Sequence, residues 1–110
     1  MQARPDLACY TMSALPVPRF DTFYRHEELS QLLHDYAAAA PGLVRVASIG
    51  KSHEGRDIWV ATVTNFSTGD DTDKPAFWAD GNIHAAELTA STACLYYLHQ
   101  LVVKFGSDRD

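Results

Sequence analysis

A histidine and a glutamate three positions apart, His84 and Glu87, have the residue types and the spacing that metal chemistry requires. If a helix has begun at this point, side chains three apart share one face, with their β-carbons roughly 5–6 Å apart. A neutral imidazole and a carboxylate are both zinc ligands, and catalytic zinc sites typically take three protein ligands and leave a fourth position for water. The pair would supply two of those three ligands.

The residues around the pair are typical of a junction between a strand and a helix. Residues 75–80 are almost wholly apolar, which predicts a third strand covered on both faces. The next residues, 80–82 (Asp-Gly-Asn), have turn chemistry, and a helical pattern starts at about Ala86. Ligand sites of open α/β sheets lie beyond the carboxyl ends of strands, so this context favours a metal site. The alternative is an exposed pair in which Glu87 only complements the helix dipole.

Hydrophobic spacing predicts two helices and a hairpin around this junction. The helices are expected over 23–40 and from about 86 to 105, with Gly106 ending the second. Residues 43–49 and 57–65 are rich in β-branched side chains and are joined through two glycines, which predicts an antiparallel hairpin. In the second helix an apolar stripe is expected to face the core, and it consists of Ala90, Ala93, Cys94, Tyr97, Leu98, Leu101, Val102 and Phe105.

The composition is that of an ordinary globular chain of at most one domain. The sequence has 110 residues, of which 46% are hydrophobic and 21% charged. Its net charge of −5 argues against a nucleic-acid partner, because no basic surface is available to neutralise phosphates. No stretch approaches the roughly 18 apolar residues of a membrane span, and the first residues make a poor signal peptide. We therefore expect no membrane partner and, by default, a cytoplasmic location.

The start of the chain and its cysteines suggest no site. Residues 1–22 contain three of the five prolines and show no period, so we interpret them as a loosely ordered leader. Cys9 lies in this leader and Cys94 on the second helix, and two such cysteines do not make a disulfide framework.

Three further patterns are interpreted as structural. Residues 50–52 (Gly-Lys-Ser) resemble the end of a phosphate loop, but that motif needs a glycine where Arg45 stands. The acids of residues 70–73 lack the glycine and the distal glutamate of a calcium loop, which favours a solvated turn. The remaining helical histidines have no third ligand nearby and are expected on solvated or core faces; they are His26, His34 and His99.

Two motifs together resemble the zinc metallocarboxypeptidase family typified by carboxypeptidase A. Residues 50–56 (Gly-Lys-Ser-His-Glu-Gly-Arg) carry the first motif and residues 82–87 (Asn-Ile-His-Ala-Ala-Glu) the second, in the family's order and separated by one strand. The resemblance covers residues 23–106. It implies an α/β fold with a mixed sheet covered by helices on both faces. Residues 23–110 would be the N-terminal part of that catalytic domain: a hairpin plus a third strand, with flanking helices.

The resemblance implies that His84 and Glu87 are the first two ligands of one Zn²⁺ per complete domain. The third ligand, the general base and the substrate-binding arginines would lie beyond Asp110, so no catalytic or substrate-binding residue is assigned in this chain. Ala86 stands where these enzymes often carry an arginine, so the resemblance implies no substrate contact at this position. The implied reaction is hydrolysis of the C-terminal peptide bond by zinc-activated water. Its substrates are peptide or protein C-termini, and we expect the 110 residues alone to be inactive.

Three alternatives remain open on the sequence. One is an amidohydrolase that removes an acyl group from an amino acid and has a similar His-x-x-Glu turn. The second is a small α/β binding module without chemistry, and the third is a catalytically dead relative. In the implied fold, strand 75–81 also lacks the neighbour that later sequence would supply. An unpaired sheet edge with uncovered apolar faces predicts self-association of the chain.

Overall fold

The computed structural model describes residues 15–107, which form two helices flanking a two-stranded sheet. Residues 1–14, with Cys9 and most of the predicted leader, and residues 108–110 lie outside the described part. No helix within 15–107 combines the length and apolar character that a bilayer crossing requires. The elements are α1 His26–Ala39, β1 Val44–Lys51, β2 Asp57–Val63, single 3₁₀ turns at Phe66–Thr68 and Asp71–Asp73, and α2 Leu88–Val103.

Helix α1 begins three residues later than predicted because Arg25 is extended and acts as its N-cap. The Arg25 backbone N–H donates to the Glu28 carboxylate at 2.8 Å, which satisfies the polar backbone at the helix start. Glu27 and Glu28 both lie in the first turn, where their charge complements the positive end of the helix dipole. The helix ends before Pro41, which disfavours helical geometry in the residue preceding it.

The predicted antiparallel hairpin is confirmed. Val44 pairs with Val63 at its open end, and Lys51 pairs with Asp57 beside the turn. Gly55, with φ of 80°, occupies the left-handed region in that turn, which a glycine adopts without strain. The Lys51 ammonium lies 2.7 Å from the Asp57 carboxylate. Hydrogen bonds from Lys51 and Ser48 hold the pKa of Asp57 below its usual value.

One face of the hairpin and both helices build the hydrophobic core. Alternation along the strands places Val44, Val46, Ala61 and Val63 on the same face; Val44 is part of the buried core cluster and the other three pack against it. Because both helices contribute to this cluster, their apolar sides are removed from water together, which is the main stabilising term. The buried apolar members are Tyr36, Ala40, Leu43, Val44, Leu95, Leu98 and Val102.

Polar contacts fix α1 on β2 and involve two of the helical histidines. The Trp59 indole N–H donates to the Ser30 hydroxyl at 2.8 Å. His26 Nε2 lies 2.8 Å from the Asp57 carbonyl oxygen. The His34 ring meets Trp59 edge-on, with 4.8 Å between ring centroids. His34 is exposed, as expected for a solvated face, whereas His26 is half-buried because it contacts the sheet.

A single polar pair joins α1 to α2 within the core. The hydroxyl of Tyr36, a fully buried residue, lies 2.6 Å from Nδ1 of His99. In the tautomer with its proton on Nε2, His99 accepts the hydrogen bond that Tyr36 donates. Burial raises the pKa of Tyr36 above its usual range and lowers the pKa of His99.

The buried side of α2 coincides only in part with the predicted stripe, of which Leu98 and Val102 are buried. Thr92 and Leu95, which are not in the stripe, are buried, whereas Tyr97 and Leu101 are exposed. The reason is that α2 is apolar on most of its circumference, so periodicity alone did not identify the covered side. A helix that is apolar all round is typical of an element covered on two sides. The described residues cover one side of α2.

The loop after β2 is a solvated turn anchored by one lysine. All three acids of residues 70–73 are exposed. The Lys74 ammonium donates to the Asn65 carbonyl at 2.7 Å and to the Thr64 hydroxyl at 3.0 Å. This anchor returns the chain from the end of β2 toward residues 75–80.

Residues 75–80 do not form the predicted third strand. The described sheet contains β1 and β2 alone, and this segment has no strand beside it to receive its backbone hydrogen bonds. It lies along α2 instead, and Phe77 and Trp78 remain 80% and 67% exposed. A β-carbon at Gly81 would lie 2.7 Å from the carbonyl carbon and oxygen of Ala90, so the close approach requires glycine.

Candidate metal centre

A closed turn, residues 82–87, positions the two predicted metal ligands. Asn82 has φ of 64°, the left-handed region that asparagine tolerates better than most residues. In the amide orientation that satisfies its hydrogen bonds, its side-chain nitrogen donates to the carbonyl oxygens of His84 at 3.3 Å and Glu87 at 3.1 Å. The Glu87 backbone N–H also donates to the His84 carbonyl at 3.0 Å. These bonds close the turn before the helix starts.

The expectation that the helix begins at about Ala86 is wrong by two residues. Helix α2 starts at Leu88, and Glu87 is its N-cap with φ of −89° and ψ of 52°. His84 and Glu87 therefore do not share a helical face. They meet because the turn brings residues three apart together, as a helical turn would.

The two side chains are in direct contact. His84 Nδ1 lies 2.9 Å from Glu87 Oε1. The other carboxylate oxygen, Oε2, accepts the His84 backbone N–H at 3.2 Å, which fixes the orientation of the carboxylate. The side chains are 79% and 50% exposed, so both remain accessible to an ion from solvent.

The donor pair fits zinc in type and nearly in spacing. With Zn–N and Zn–O bonds near 2.1 Å, two ligand atoms on a tetrahedral zinc lie about 3.4 Å apart. Starting from the 2.9 Å contact, the two side chains would separate by about half an ångström to admit the ion. Their exposure leaves room for that movement. Within residues 15–107 no group of three His, Cys, Asp or Glu side chains is placed to hold a metal.

The immediate surroundings of the pair are apolar. Ile83 is 75% exposed, and Leu88 is exposed on the other side of the turn. Asp80 is the nearest acid before the turn in the sequence, and its carboxylate accepts the Trp78 indole N–H at 2.6 Å. Ala86 is exposed and offers no polar group.

Sequence reasoning missed two residues that support the pair. The sequence predicted a turn at residues 80–82. It did not predict the hydrogen bonds from Asn82 to the backbone of the two ligand residues, or the contact of Gly81 with α2. The signal that could have found them is the Gly-Asn dipeptide itself. Glycine and asparagine both tolerate the left-handed backbone, and asparagine can also bond to nearby backbone groups, so the dipeptide is typical of a tight turn.

Comparison with known proteins points to one family. The family model described as zinc carboxypeptidase matches residues 29–110. Carboxypeptidase A2 of Rattus norvegicus is 35% identical over 89 residues, which are 81% of this chain and 20% of the relative. Carboxypeptidase A6 of Mus musculus is 30% identical over the same shares. Carboxypeptidase D of Homo sapiens is 51% identical over 47 residues, 42% of this chain and 3% of the relative. The chain thus spans about a fifth of the length of the A-type relatives.

Proposed function

The chain belongs to the zinc carboxypeptidase family, and from that premise we propose that it is part of an enzyme that removes the C-terminal residue from peptides and proteins. In this proposal residues 23–110 are the N-terminal part of the catalytic domain. The observation that carries the proposal is the 2.9 Å contact between His84 Nδ1 and Glu87 Oε1 at the start of a helix. It brings together an imidazole and a carboxylate that suit zinc.

His84 and Glu87 are the proposed zinc ligands of this chain. Asn82 supports both, because its amide binds the carbonyl groups of the two ligand residues. Gly81 supports them indirectly by letting the chain approach Ala90 and so fixing where the turn starts. A zinc ion held there would lower the pKa of a bound water to near 7 and polarise the scissile carbonyl.

The described residues supply two ligands, and a catalytic zinc site typically needs three. We infer that the third ligand and the general base come from sequence outside residues 15–107. The 110-residue chain alone should then lack peptidase activity. Its own contribution is to hold the metal from one side and to provide the sheet and helices that position the pair.

The test uses the full-length protein that contains this chain. His84→Ala and Glu87→Ala should each reduce bound zinc and lower the release of C-terminal residues by at least about 100-fold, since loss of an outer-shell partner alone typically costs 10–100-fold. Elemental analysis and a peptide assay measure the two effects. His53→Ala and Glu54→Ala change the same residue types in the exposed hairpin turn and should alter neither. Variants at 84 or 87 that keep both zinc and activity would overturn the proposal.

A substrate comparison separates this proposal from the amidohydrolase alternative. The same protein should hydrolyse peptides with a free C-terminus and leave N-acyl amino acids intact. Preference for N-acyl amino acids would favour the amidohydrolase. A full-length protein that binds zinc but cleaves neither substrate would be a catalytically dead relative.

A further inference from the structure

The segment before α1 packs against the fold instead of extending into solvent. We call residues 15–24 the strap. Leu15 and Tyr24, at its two ends, both pack against the core cluster, and Pro18 between them is buried. The two ends of the strap are therefore held by apolar contacts.

The middle of the strap, residues 19–23, forms a small loop that Tyr24 closes. The Arg19 backbone N–H donates to the Tyr24 hydroxyl oxygen at 2.6 Å, and that hydroxyl donates to the Arg19 carbonyl at 2.7 Å. The Arg19 guanidinium also lies 3.0 Å from the Asp21 carboxylate. Because these bonds all lie within the strap, the loop can change its position on α2 and keep its own shape.

An aromatic contact and one long hydrogen bond attach this loop to α2. The centroid of the Phe20 ring lies 5.1 Å from that of Tyr96 and 5.8 Å from that of His99. The Thr92 hydroxyl lies 3.4 Å from the Thr22 carbonyl oxygen, which is a weak bond at that length. Phe20 is thus the main attachment of the loop. A segment with so few buried contacts opens at a small cost in free energy.

His99 lies between Phe20 and a buried hydroxyl. Its Nδ1 is 2.6 Å from the hydroxyl of Tyr36, a fully buried residue. Only neutral His99 can accept the hydrogen bond that Tyr36 donates, so the closed strap suits the neutral imidazole. We propose that the strap responds to pH, and that its loop leaves α2 when His99 becomes protonated.

The groups around His99 do not stabilise its cation. Tyr36 of α1 is neutral, and burial raises its pKa above the usual range. In the strap, the carboxylate next to Phe20 is Asp21, which is exposed and already paired with Arg19. One turn earlier on α2 stands Tyr96, an uncharged phenol. Burial lowers the pKa of His99, with no contribution from a charged neighbour in the described part of the chain.

Protonation reverses the balance at this contact. Protonated Nδ1 cannot accept from Tyr36, which leaves a buried donor without an acceptor. The imidazolium also loses solvation where the Phe20 ring covers it. A cation–π contact with a partly exposed ring is worth less than these two losses together. Movement of Phe20 lets water reach the cation, so the open strap binds the proton more tightly than the closed one.

Linkage gives the direction of the effect. Because closure lowers the pKa of His99, the closed strap is fully favoured above the usual value of about 6.5 and is lost as the pH falls through the lower pKa of the closed form. Each unit by which closure lowers this pKa raises the equilibrium constant for opening about tenfold at acid pH.

Opening changes the surface at the start of α2. The loop and residues Thr89 and Thr92 line an open cavity of about 400 Å³. When the loop leaves α2, this cavity loses the wall that contains Phe20 and Phe23, and the Thr92 hydroxyl becomes accessible. Acid therefore exposes one side of the first turns of α2.

The experiment follows the ¹⁵N-labelled chain by NMR between pH 7.5 and pH 5. We expect the backbone amides of residues 19–23 to titrate with the same midpoint as the His99 ring, below 6.5. Phe20→Ala removes the cover and should raise the His99 midpoint toward 6.5. Phe23→Ala is the matched control, because it removes a 63% exposed ring from the same loop and should leave that midpoint unchanged.

Two histidine variants complete the test. In His99→Gln the amides of residues 19–23 should not change over this range, whereas His53→Gln in the hairpin turn should behave like the unchanged chain. Circular dichroism confirms that each variant is folded. Loop amides that stay constant while His99 titrates would overturn the proposal, as would an unchanged His99 midpoint in Phe20→Ala. An equal titration of the loop in His99→Gln would assign the opening to another group and overturn it too. No proposed metal ligand takes part, so these outcomes are independent of the proposed function.

Discussion

The amide of Asn82 bonds to the carbonyl groups of both proposed zinc ligands, so the distance between His84 and Glu87 depends on a residue that need not touch the metal. The sequence indicated the ligand types and their spacing, because a three-residue separation brings side chains together in any tight helical turn. It could not indicate the amide contacts. Those depend on the left-handed backbone of Asn82, which is one of several conformations open to an asparagine in a turn.

His99 is the residue whose protonation should affect the stability of the fold. Burial lowers its folded-state pKa below the usual value, so the unfolded state binds more protons near that value. The stability that neutral His99 contributes is fully present above the unfolded pKa of about 6.5 and is lost as the pH falls from there through the lower folded-state pKa. Protonation at Nδ1 would also leave the buried Tyr36 hydroxyl without its acceptor.

We therefore expect the urea midpoint to decrease between pH 7.5 and pH 5, and to decrease less in His99→Gln, which does not titrate. Urea titrations at several pH values with circular dichroism measure the difference. His53→Gln removes an exposed histidine from the hairpin turn and should leave the pH dependence of the unchanged chain. An equally steep decline in His99→Gln would assign the effect to another group.

The secondary structure elements differ in how far the sequence determines them. The hairpin was predicted correctly because its signals are local: β-branched strands and glycines in the connector, with Gly55 in the left-handed region. The segment 75–80 was predicted as a strand from its apolar residues, but a strand also needs a neighbour, which is a property of the whole sheet. The covered side of α2 was predicted only in part for a similar reason, since exposed Leu101 is as apolar as buried Leu95, while Leu98 and Val102 of the predicted stripe are buried.

Gly81 determines how the segment 75–80 is attached to α2. Gly81→Ala should destabilise the chain by about 1–3 kcal/mol, because the new β-carbon would meet the Ala90 backbone at 2.7 Å and force the two elements apart. Denaturant unfolding measures this loss, and in the full-length protein bound zinc should decrease with it. Ala79→Ser adds one atom two residues earlier at an exposed position and is the matched control. Equal stability of the two variants would show that this contact is not important for packing.

At the scale of the molecule, residues 15–107 leave one side of α2 uncovered. The hairpin and helices enclose a cluster around Tyr36 and Val44, while the side of α2 that carries Tyr97 and Leu101 is exposed. This arrangement agrees with a chain that spans about a fifth of its A-type relatives. The fold class was predictable because local patterns specify the elements. The extent of the uncovered surface was not, because it depends on which elements are present to cover it.

Self-association of the chain should decrease when its exposed aromatic residues Phe77 and Trp78 are made polar. We expect the double variant Phe77→Ser/Trp78→Ser to reduce light scattering on heating in EDTA by several-fold, because it removes the most exposed aromatic pair. Ile49→Thr alters an exposed residue of β1 and should have little effect. If Ile49→Thr suppresses scattering and the double variant does not, the sheet edge would be the surface responsible for association.

The positions of the two tryptophans allow separate optical observation of two events. Trp59 is held by Ser30 beneath α1, so its emission reports whether the helix remains docked on the hairpin. Trp78 lies largely in solvent on the segment that leads to the metal pair, so its emission reports coverage of that segment by any other surface. With either indole replaced by phenylalanine, a fluorimeter would distinguish unfolding from assembly in a single sample, without an added dye.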